Sequence, residues 1–144
     1  MRVGFIGLGM MGKNAAANLR RKGFALTVHD LRPEAVAGLV AQGATAAGSA
    51  AEVMAASDVV VTMVFGPSEV EQVLRGPGGL LSGDCRGKVW IDMTTSSPFL
   101  MRDLAAPETV GAVHALGDAL VLAAVLTWGL AVAAGIVLLL ANAG

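Results

Sequence analysis

The stretch that decides the fold is Arg2-Val3-Gly4-Phe5-Ile6-Gly7-Leu8-Gly9-Met10-Met11-Gly12, near the start of the chain. Arg2 to Ile6 is a short apolar run bounded by a glycine, which predicts a buried strand. Gly7 to Gly12 follows as a G-x-G-x-x-G loop, and the alanine-rich residues after it predict a helix. A second predicted strand, Ala25–His29, then ends on Asp30.

This order of strand, glycine loop, helix, strand and acid is typical of a dinucleotide-binding βαβ unit. Gly7 permits the tight turn, Gly9 lets the backbone approach a pyrophosphate, and Gly12 lets the helix pack close to the sheet. The amino end of the helix would receive the phosphate charge. Asp30 would accept the ribose hydroxyls. The candidate cofactor-binding residues of this unit are Gly7, Leu8, Gly9, Met10, Met11, Gly12 and Asp30.

The acid at the tip of the second strand also bears on cofactor choice. A carboxylate at Asp30 repels a 2′-phosphate, so NAD is favoured over NADP. Arg32 is close enough in sequence to offer a phosphate partner, which leaves NADP as an alternative.

Length and composition set broad bounds on the fold and on the partners. A chain of 144 residues is long enough for one domain with a real core. The net charge of −1 gives no indication of nucleic acid as a partner. The single cysteine, Cys85, excludes an intramolecular disulfide and fits a reducing compartment. The chain starts on a predicted strand and not on a secretory signal, so we expect a cytoplasmic domain.

Strands and helices alternate along the rest of the matched region, which predicts an α/β fold with a doubly wound, Rossmann-type parallel sheet. In such sheets ligands bind at the carboxyl ends of the strands. The further predicted helices are 33–42, 49–55 with Ser49 as N-cap, and 69–74, and the further strands are 44–46, 59–64 and 89–91. We call the edge formed by these strand ends the carboxyl rim. The residues predicted to lie on it are Gly7–Gly12, Asp30, Val64, Phe65 and Asp92–Thr95.

Several motifs occur together in an order that is specific to one family. They are Gly4 to Gly12, Asn18-Leu19 with Gly23, and Asp92-Met93-Thr94-Thr95-Ser96-Ser97-Pro98. By these motifs, residues 1 to about 106 resemble the N-terminal NAD(P)-binding domain of the 3-hydroxyisobutyrate dehydrogenase family. These β-hydroxyacid dehydrogenases share the domain with 6-phosphogluconate dehydrogenases.

The resemblance implies roles for individual residues. The loop Gly7–Gly12 would hold the pyrophosphate, and Val64 and Phe65 would lie beside the nicotinamide ribose through their backbone. Thr95 would lie near the nicotinamide and the substrate, and Thr94 with Thr95 would belong to the substrate-binding motif. The family often has proline where Phe65 stands, and a bulkier apolar residue at Ala15 or Ala16. Asp92 has two interpretations: it orients the loop at Thr94 and Thr95, or it caps a helix that Pro98 begins, and capping is slightly favoured.

The resemblance also implies a missing part. In the family, a helical second domain follows and supplies a catalytic lysine as general acid and base. The lysines here are Lys13, Lys22 and Lys88, and none stands at that position, so we assign no catalytic residue. The chain looks truncated, able to bind cofactor and not to catalyse. Two functions stay open: the cofactor domain of a hydroxyacid dehydrogenase, and a non-catalytic dinucleotide-binding module that is tethered to a membrane or is free of it.

The C-terminal part has a different character. We expect a linker over 107–118 and an apolar helix over 119–141, which has no charged residue. At about 1.5 Å per residue such a helix is long enough to cross the roughly 30 Å core of a bilayer. Three interpretations are a membrane anchor, a helix buried against a partner subunit in a homo-oligomer, and the product of a shifted reading frame.

Other residues with reactive side chains have simpler explanations. His29 is interpreted as a structural histidine, and His114 lacks a partner at metal-ligand spacing, so no metal site is predicted. Cys85 has no neighbouring base in the sequence that would activate it as a nucleophile.

Overall fold

The computed structural model describes residues 1–96, 99, 103–104, 120–125 and 135–139. Its elements are, in chain order, β1 (Arg2–Ile6), α1 (Gly12–Arg21), β2 (Ala25–His29), α2 (Pro33–Val40), β3 (Thr45–Ala46), α3 (Ala50–Ala56), β4 (Val59–Thr62), α4 (Pro67–Arg75), a short 3-10 helix (Leu80–Ser82), β5 (Val89–Asp92), β6 (Leu120–Val125) and β7 (Gly135–Leu139).

The described strands form one sheet in the order β3-β2-β1-β4-β5-β6-β7. The strands from β1 to β5 pair in parallel with their neighbours, which confirms the predicted parallel α/β sheet. The chain moves outward from β1 through β2 to β3, and then returns to β4 on the other side of β1. This reversal between β1 and β4 creates the crevice in which open α/β sheets bind their ligands.

The sheet buries apolar side chains on both faces. Alternate residues of a strand point to opposite faces, so Phe5 packs in one cluster and Ile6 in the other. The cluster around Phe5 includes Ala16 of α1 and Leu39 of α2. The opposite cluster brings α3 and α4 together with β4 and Trp90 of β5. Helices thus cover both faces, as a doubly wound sheet requires.

The helix boundaries follow from local signals, with small differences from the sequence expectations. Ser49 caps α3 as predicted, because its hydroxyl accepts the N–H of Glu52 over 3.2 Å. Helix α2 ends at Val40 and not at Gln42. The amides of Gln42 and Gly43 each donate to the carbonyl three residues back, which tightens the last turn and ends the α-helix.

Strand β4 is also shorter than its apolar run suggested, ending at Thr62 instead of Val64. Met63 still donates its N–H to the Ile6 carbonyl over 2.9 Å. The N–H of Val64 instead donates to a side chain, the hydroxyl of Thr94, over 3.1 Å. The hydroxyl of Thr94, in the loop after β5, therefore accepts this hydrogen bond in place of a main-chain carbonyl of the sheet.

The prediction of one apolar helix over 119–141 is wrong for the described part of that segment. Residues Leu120–Val125 form β6, which extends the sheet in parallel beside β5, and Gly135–Leu139 form β7, which runs antiparallel to β6. The reason is that a continuous apolar run fits a buried strand as well as a helix when it shows no periodicity. The remaining residues of 107–118 and 119–141 lie outside the described residues, as does the helix expected at Pro98.

Within the described ranges, every helix is too short or too polar to span a bilayer.

Helix α1 approaches the turn after β1 very closely at Gly12. A Cβ at this position would lie 1.9 Å from the carbonyl oxygen of Gly7 and 3.3 Å from the ring of Phe5. The first of these distances is far inside van der Waals contact, so any side chain at Gly12 pushes α1 away from the end of β1. The glycine therefore sets where the amino end of α1 lies.

We predict that Gly12→Ala lowers the free energy of unfolding by roughly 2 kcal/mol or more, because α1 must shift from the sheet. The matched control is Gly38→Ala, in the middle of α2, where an added Cβ has no atom within 4 Å. That change should stabilise the protein by about 0.5–1 kcal/mol through helix propensity. Urea unfolding of the two variants measures both effects, and equal stability of Gly12→Ala and wild type would contradict the packing argument.

Candidate functional site

The glycine loop forms a tight turn between β1 and α1. Gly7 adopts a φ of 93°, in the left-handed region that favours glycine, and its N–H donates to the His29 carbonyl over 3.1 Å. A Cβ at Gly7 would lie 2.2 Å from the Met63 carbonyl oxygen. Gly9 differs from both other glycines, since a Cβ there would have no atom within 4 Å. The loop therefore leaves open space above Gly9, in which a ligand can approach the backbone.

The amino end of α1 differs electrostatically from the other described helices. Helices α2, α3 and α4 each carry a glutamate in the first turn, at Glu34, Glu52 and Glu69. Helix α1 has no acid in its first turn, and the side chain at its N-cap, Met11, makes no capping hydrogen bond. The N–H groups of Lys13 and Asn14 donate to the carbonyls of Gly9 and Met11, and the positive end of the dipole has no acidic side chain of the first turn to offset it, which favours an anion there. This arrangement suits a phosphate ligand.

The acid at the end of β2 is tied to the same loop. The carboxylate of Asp30 accepts the N–H of Leu8 over 2.6 Å, and its side chain is 10% exposed. Burial by itself raises the pKa of Asp30. Hydrogen bonds from the side chain and backbone of Arg32 and from the Leu8 backbone outweigh this effect, so the pKa lies below the ordinary value. Asp30 is therefore ionised at neutral pH.

Arg32 connects the acid to the loop in a way that the sequence does not reveal. Its Nε lies 3.1 Å from Asp30 Oδ1, and its Nη2 donates to the Leu8 carbonyl over 3.2 Å. The Asp30–Arg32 pair thus holds both backbone groups of Leu8. The arginine side chain is 55% exposed, so it can leave the carboxylate when a ligand arrives.

The ends of β4 and β5 carry a buried polar cluster, which we call the rim network: Thr62, Val64 through its N–H, Trp90, Asp92 and Thr94. Asp92 is fully buried, and its Oδ1 accepts the hydroxyls of Thr62 over 2.6 Å and of Thr94 over 2.8 Å. The Thr62 oxygen also accepts Trp90 Nε1 over 3.0 Å. Burial raises the pKa of Asp92, and these donors offset part of that rise.

The contacts of Asp92 fit the less favoured of its two interpretations, in which it orients the loop at Thr94 and Thr95. Its Oδ1 receives the N–H of Thr94 over 3.3 Å as well as the Thr94 hydroxyl, so it orients the loop after β5. The residues from Ser97 that would form a capped helix lie outside the described set, except for isolated positions. Sequence reasoning missed Thr62 entirely; the signal was a threonine at the end of β4 in register with Asp92.

The two threonines of the predicted substrate motif are placed differently. Thr94 is 1% exposed, and its hydroxyl is engaged with both Asp92 and Val64. Thr95 is exposed at the carboxyl rim. Phe65, in the loop three residues after the end of β4, is 97% exposed, an unusual position for a phenylalanine. The predicted nicotinamide-side residues thus lie at the ends of neighbouring strands.

Three described side chains that could transfer a proton, Lys88, His29 and Cys85, are engaged with main-chain groups or buried. Lys88 lies at the amino end of β5, where its Nζ donates to the carbonyls of Met54 and Ala55 over 2.5 and 2.9 Å. The Nδ1 of His29 lies 3.0 Å from the Ala47 carbonyl oxygen. Cys85 is buried, and burial raises the pKa of its thiol, so it is not a thiolate. Among the described residues no group of acids, histidines and cysteines could hold a metal ion.

Residues 2–118 match the family described as the NAD binding domain of 6-phosphogluconate dehydrogenase. The chain belongs to this family. Its resemblance to 3-hydroxyisobutyrate dehydrogenases and related hydroxyacid dehydrogenases is confirmed, and so is the expected cofactor class, NAD(P).

Individual relatives show how much of a longer protein the domain represents. The 2-(hydroxymethyl)glutarate dehydrogenase of Eubacterium barkeri is 45% identical over 98 residues, which make up 68% of this chain and 33% of that protein. The structure of a 3-hydroxyisobutyrate dehydrogenase from Salmonella typhimurium matches with a TM-score of 0.72 and 34% identity, over 90% of this chain and 43% of that one. An imine reductase from Myxococcus stipitatus in complex with NADP+ matches with a TM-score of 0.70 and 25% identity, over 88% and 42% of the two chains. The chain spans between 31% and 40% of the length of the first three curated relatives.

We predict that Arg32→Ala raises the pKa of Asp30, because it removes the strongest opposing donor while burial still disfavours the charged form. A group with a depressed pKa stabilises the fold above its ordinary pKa, and this stabilisation is lost as the pH falls through the depressed value. In the variant the stabilisation should therefore be smaller, and its loss on acidification should be complete at a higher pH. A carboxyl NMR titration measures the change.

The matched control is Arg86→Ala, which breaks an ion pair of the same spacing at Asp84, where Arg86 Nε lies 3.0 Å from Oδ1. This variant should raise the pKa of the exposed Asp84 and leave that of Asp30 unchanged. An unchanged Asp30 pKa in Arg32→Ala would contradict the assigned role of the arginine.

Proposed function

We propose that this chain is the dinucleotide-binding part of a hydroxyacid dehydrogenase, that it prefers NAD to NADP, and that its 144 residues bind cofactor without turning over a hydroxy acid. In this proposal the cofactor contacts Gly7, Leu8, Gly9, Met10, Met11, Gly12, Asp30, Val64, Phe65 and Thr95. The substrate, a 3-hydroxy acid or its semialdehyde, lies near Thr94 and Thr95. Bound nicotinamide supplies the hydride acceptor or donor of such a reaction.

The observation that carries the proposal is the amino end of α1. Among the four described α-helices it is the one without a first-turn acid, and it faces the open space at Gly9. The carboxylate of Asp30 lies against the same loop through Leu8. A phosphate site and a ribose-accepting carboxylate side by side are the two halves of adenosine diphosphate recognition.

The preference for NAD follows from the charge of Asp30. Its carboxylate is ionised, so a 2′-phosphate beside it meets a like charge. The ribose hydroxyls of NAD can instead donate to it once the exposed Arg32 side chain withdraws. NADP remains the competing ligand, because the same arginine could pair with the phosphate.

The absence of turnover follows from the chemistry that hydride transfer requires. Oxidation of a hydroxyl needs a group that takes its proton. On the nicotinamide side of the described rim, Asp92 is fully buried and Thr94 and Thr95 offer neutral hydroxyls, while the ionised Asp30 lies against Leu8 on the adenosine side. The same observation supports the second candidate, a dinucleotide-binding module with no catalytic role.

We predict that NADH binds the chain more tightly than NADPH. We also predict that Gly9→Ala weakens NADH binding by roughly tenfold or more. The free energy of unfolding of this variant should stay within about 0.5 kcal/mol of the wild-type value. The added methyl group would fill the space that the pyrophosphate needs, and it touches no protein atom within 4 Å. Calorimetric titration and urea unfolding measure the two quantities. Tighter binding of NADPH would overturn the NAD preference, and unchanged NADH binding in the variant would overturn the site.

We also predict that the chain with saturating NAD and 3-hydroxyisobutyrate or glycerate forms no NADH above the rate in buffer, although NAD itself binds. Absorbance at the NADH band measures the rate. Saturable turnover by the purified chain would show that a proton acceptor exists within it.

A further inference from the structure

We propose that Thr94 and Asp92 are positioning residues that hold the Val64 main chain in place and so shape the nicotinamide half of the dinucleotide site. This inference rests on the proposed function. Neither residue needs to touch the cofactor for this role. Thr94 is 1% exposed and Asp92 is fully buried, so both act through the backbone that they hold.

The directions of the hydrogen bonds follow from the donors that are present. A threonine hydroxyl has one hydrogen to donate. The hydroxyl oxygen of Thr94 lies 2.8 Å from Asp92 Oδ1 and 3.1 Å from the main-chain nitrogen of Val64. An amide N–H can only donate, so the hydroxyl accepts from Val64 and gives its own hydrogen to Asp92. The carboxylate therefore fixes the orientation in which Thr94 can hold Val64.

The main-chain N–H of Val64 is held by this side-chain contact, while the Val64 side chain packs against the core cluster that includes Ile6 and Val60. The last main-chain bonds at this edge are those from Met63 to the Ile6 carbonyl, 2.9 Å, and from Met93 to the Thr62 carbonyl, 2.8 Å. Beyond them, Val64 has left the ladder and the Thr94 hydroxyl is its acceptor. The exposed Phe65 follows directly, so the path of the loop after β4 is set where Thr94 is fixed.

The opposite half of the site is held by separate contacts. Asp30 and Arg32 bind the backbone of Leu8 on the β2 side of β1, whereas the rim network lies at β4 and β5 on the other side. The two groups share no hydrogen bond in the described residues. A loss of the Thr94 hydroxyl should therefore affect the nicotinamide half of a ligand and spare the adenine half.

The test compares two ligands that differ in the nicotinamide riboside. ADP carries the adenosine and pyrophosphate of NADH and lacks both the nicotinamide and its ribose. In Thr94→Val we expect NADH affinity to fall roughly three- to tenfold, the effect of one lost hydrogen bond, and ADP affinity to stay within about twofold. Thr94→Ser retains the hydroxyl and should restore NADH affinity.

The matched control is Trp90→Phe, which removes the indole N–H that donates to Thr62 at the far side of the same network and leaves the contacts between Asp92 and Thr94 in place. It should lower the free energy of unfolding, as Thr94→Val does, and change the affinities for the two ligands by the same factor. If Thr94→Val weakens both ligands alike, or neither, or if Trp90→Phe reproduces its selective loss, the positioning role is wrong. If the wild type binds neither ligand, the proposed function itself fails.

A measurement on the unaltered chain covers the case in which a variant does not fold. The amide resonance of Val64 should shift on addition of NADH and stay in place on addition of ADP, while the Leu8 amide shifts with both. Equal responses of Val64 to the two ligands would overturn the inference.

Discussion

The contact between Gly12 and the Gly7 carbonyl is the constraint on which the rest of the site depends. The backbone of α1 lies so close to β1 that a Cβ at Gly12 would stand 1.9 Å from that oxygen. This approach points the amino end of the helix at the carboxyl edge of the sheet, beside the point where strand order reverses between β1 and β4. Packing and anion recognition therefore share one cause, a missing side chain.

Charge is distributed so that this helix end stays available. Glutamates occupy the first turns of α2, α3 and α4, where their negative charge interacts favourably with the helix dipole and stabilises the helix. Helix α1 lacks that stabilisation, and the nearby carboxylate of Asp30 is directed instead to the Leu8 N–H and to Arg32. On the other side of β1, the buried Asp92 organises the loop ends of β4 and β5. Two carboxylates thus hold the two halves of the rim.

Much of this was accessible from sequence because the signals are local. The G-x-G-x-x-G loop, the acid after β2 and the alternation of strands and helices predicted the parallel sheet and the rim. The contacts of Arg32 with Leu8 and of Thr62 with Asp92 were not predictable, because they join residues 24 and 30 positions apart through side-chain geometry. The prediction of a helix for the C-terminal apolar segment was wrong in its described part, because an aperiodic run of Leu, Val and Ala suits a strand and a helix equally. The sequence does not show that β6 pairs with the edge of β5.

The most direct test of the account is a crystal structure of the chain grown with NAD. The account predicts the pyrophosphate at the amino end of α1 above Gly9, the adenosine ribose at Asp30 with Arg32 displaced, and the nicotinamide side at Val64 and Phe65. Dinucleotide bound away from the carboxyl edge of the sheet, or none at saturating concentration, would contradict it.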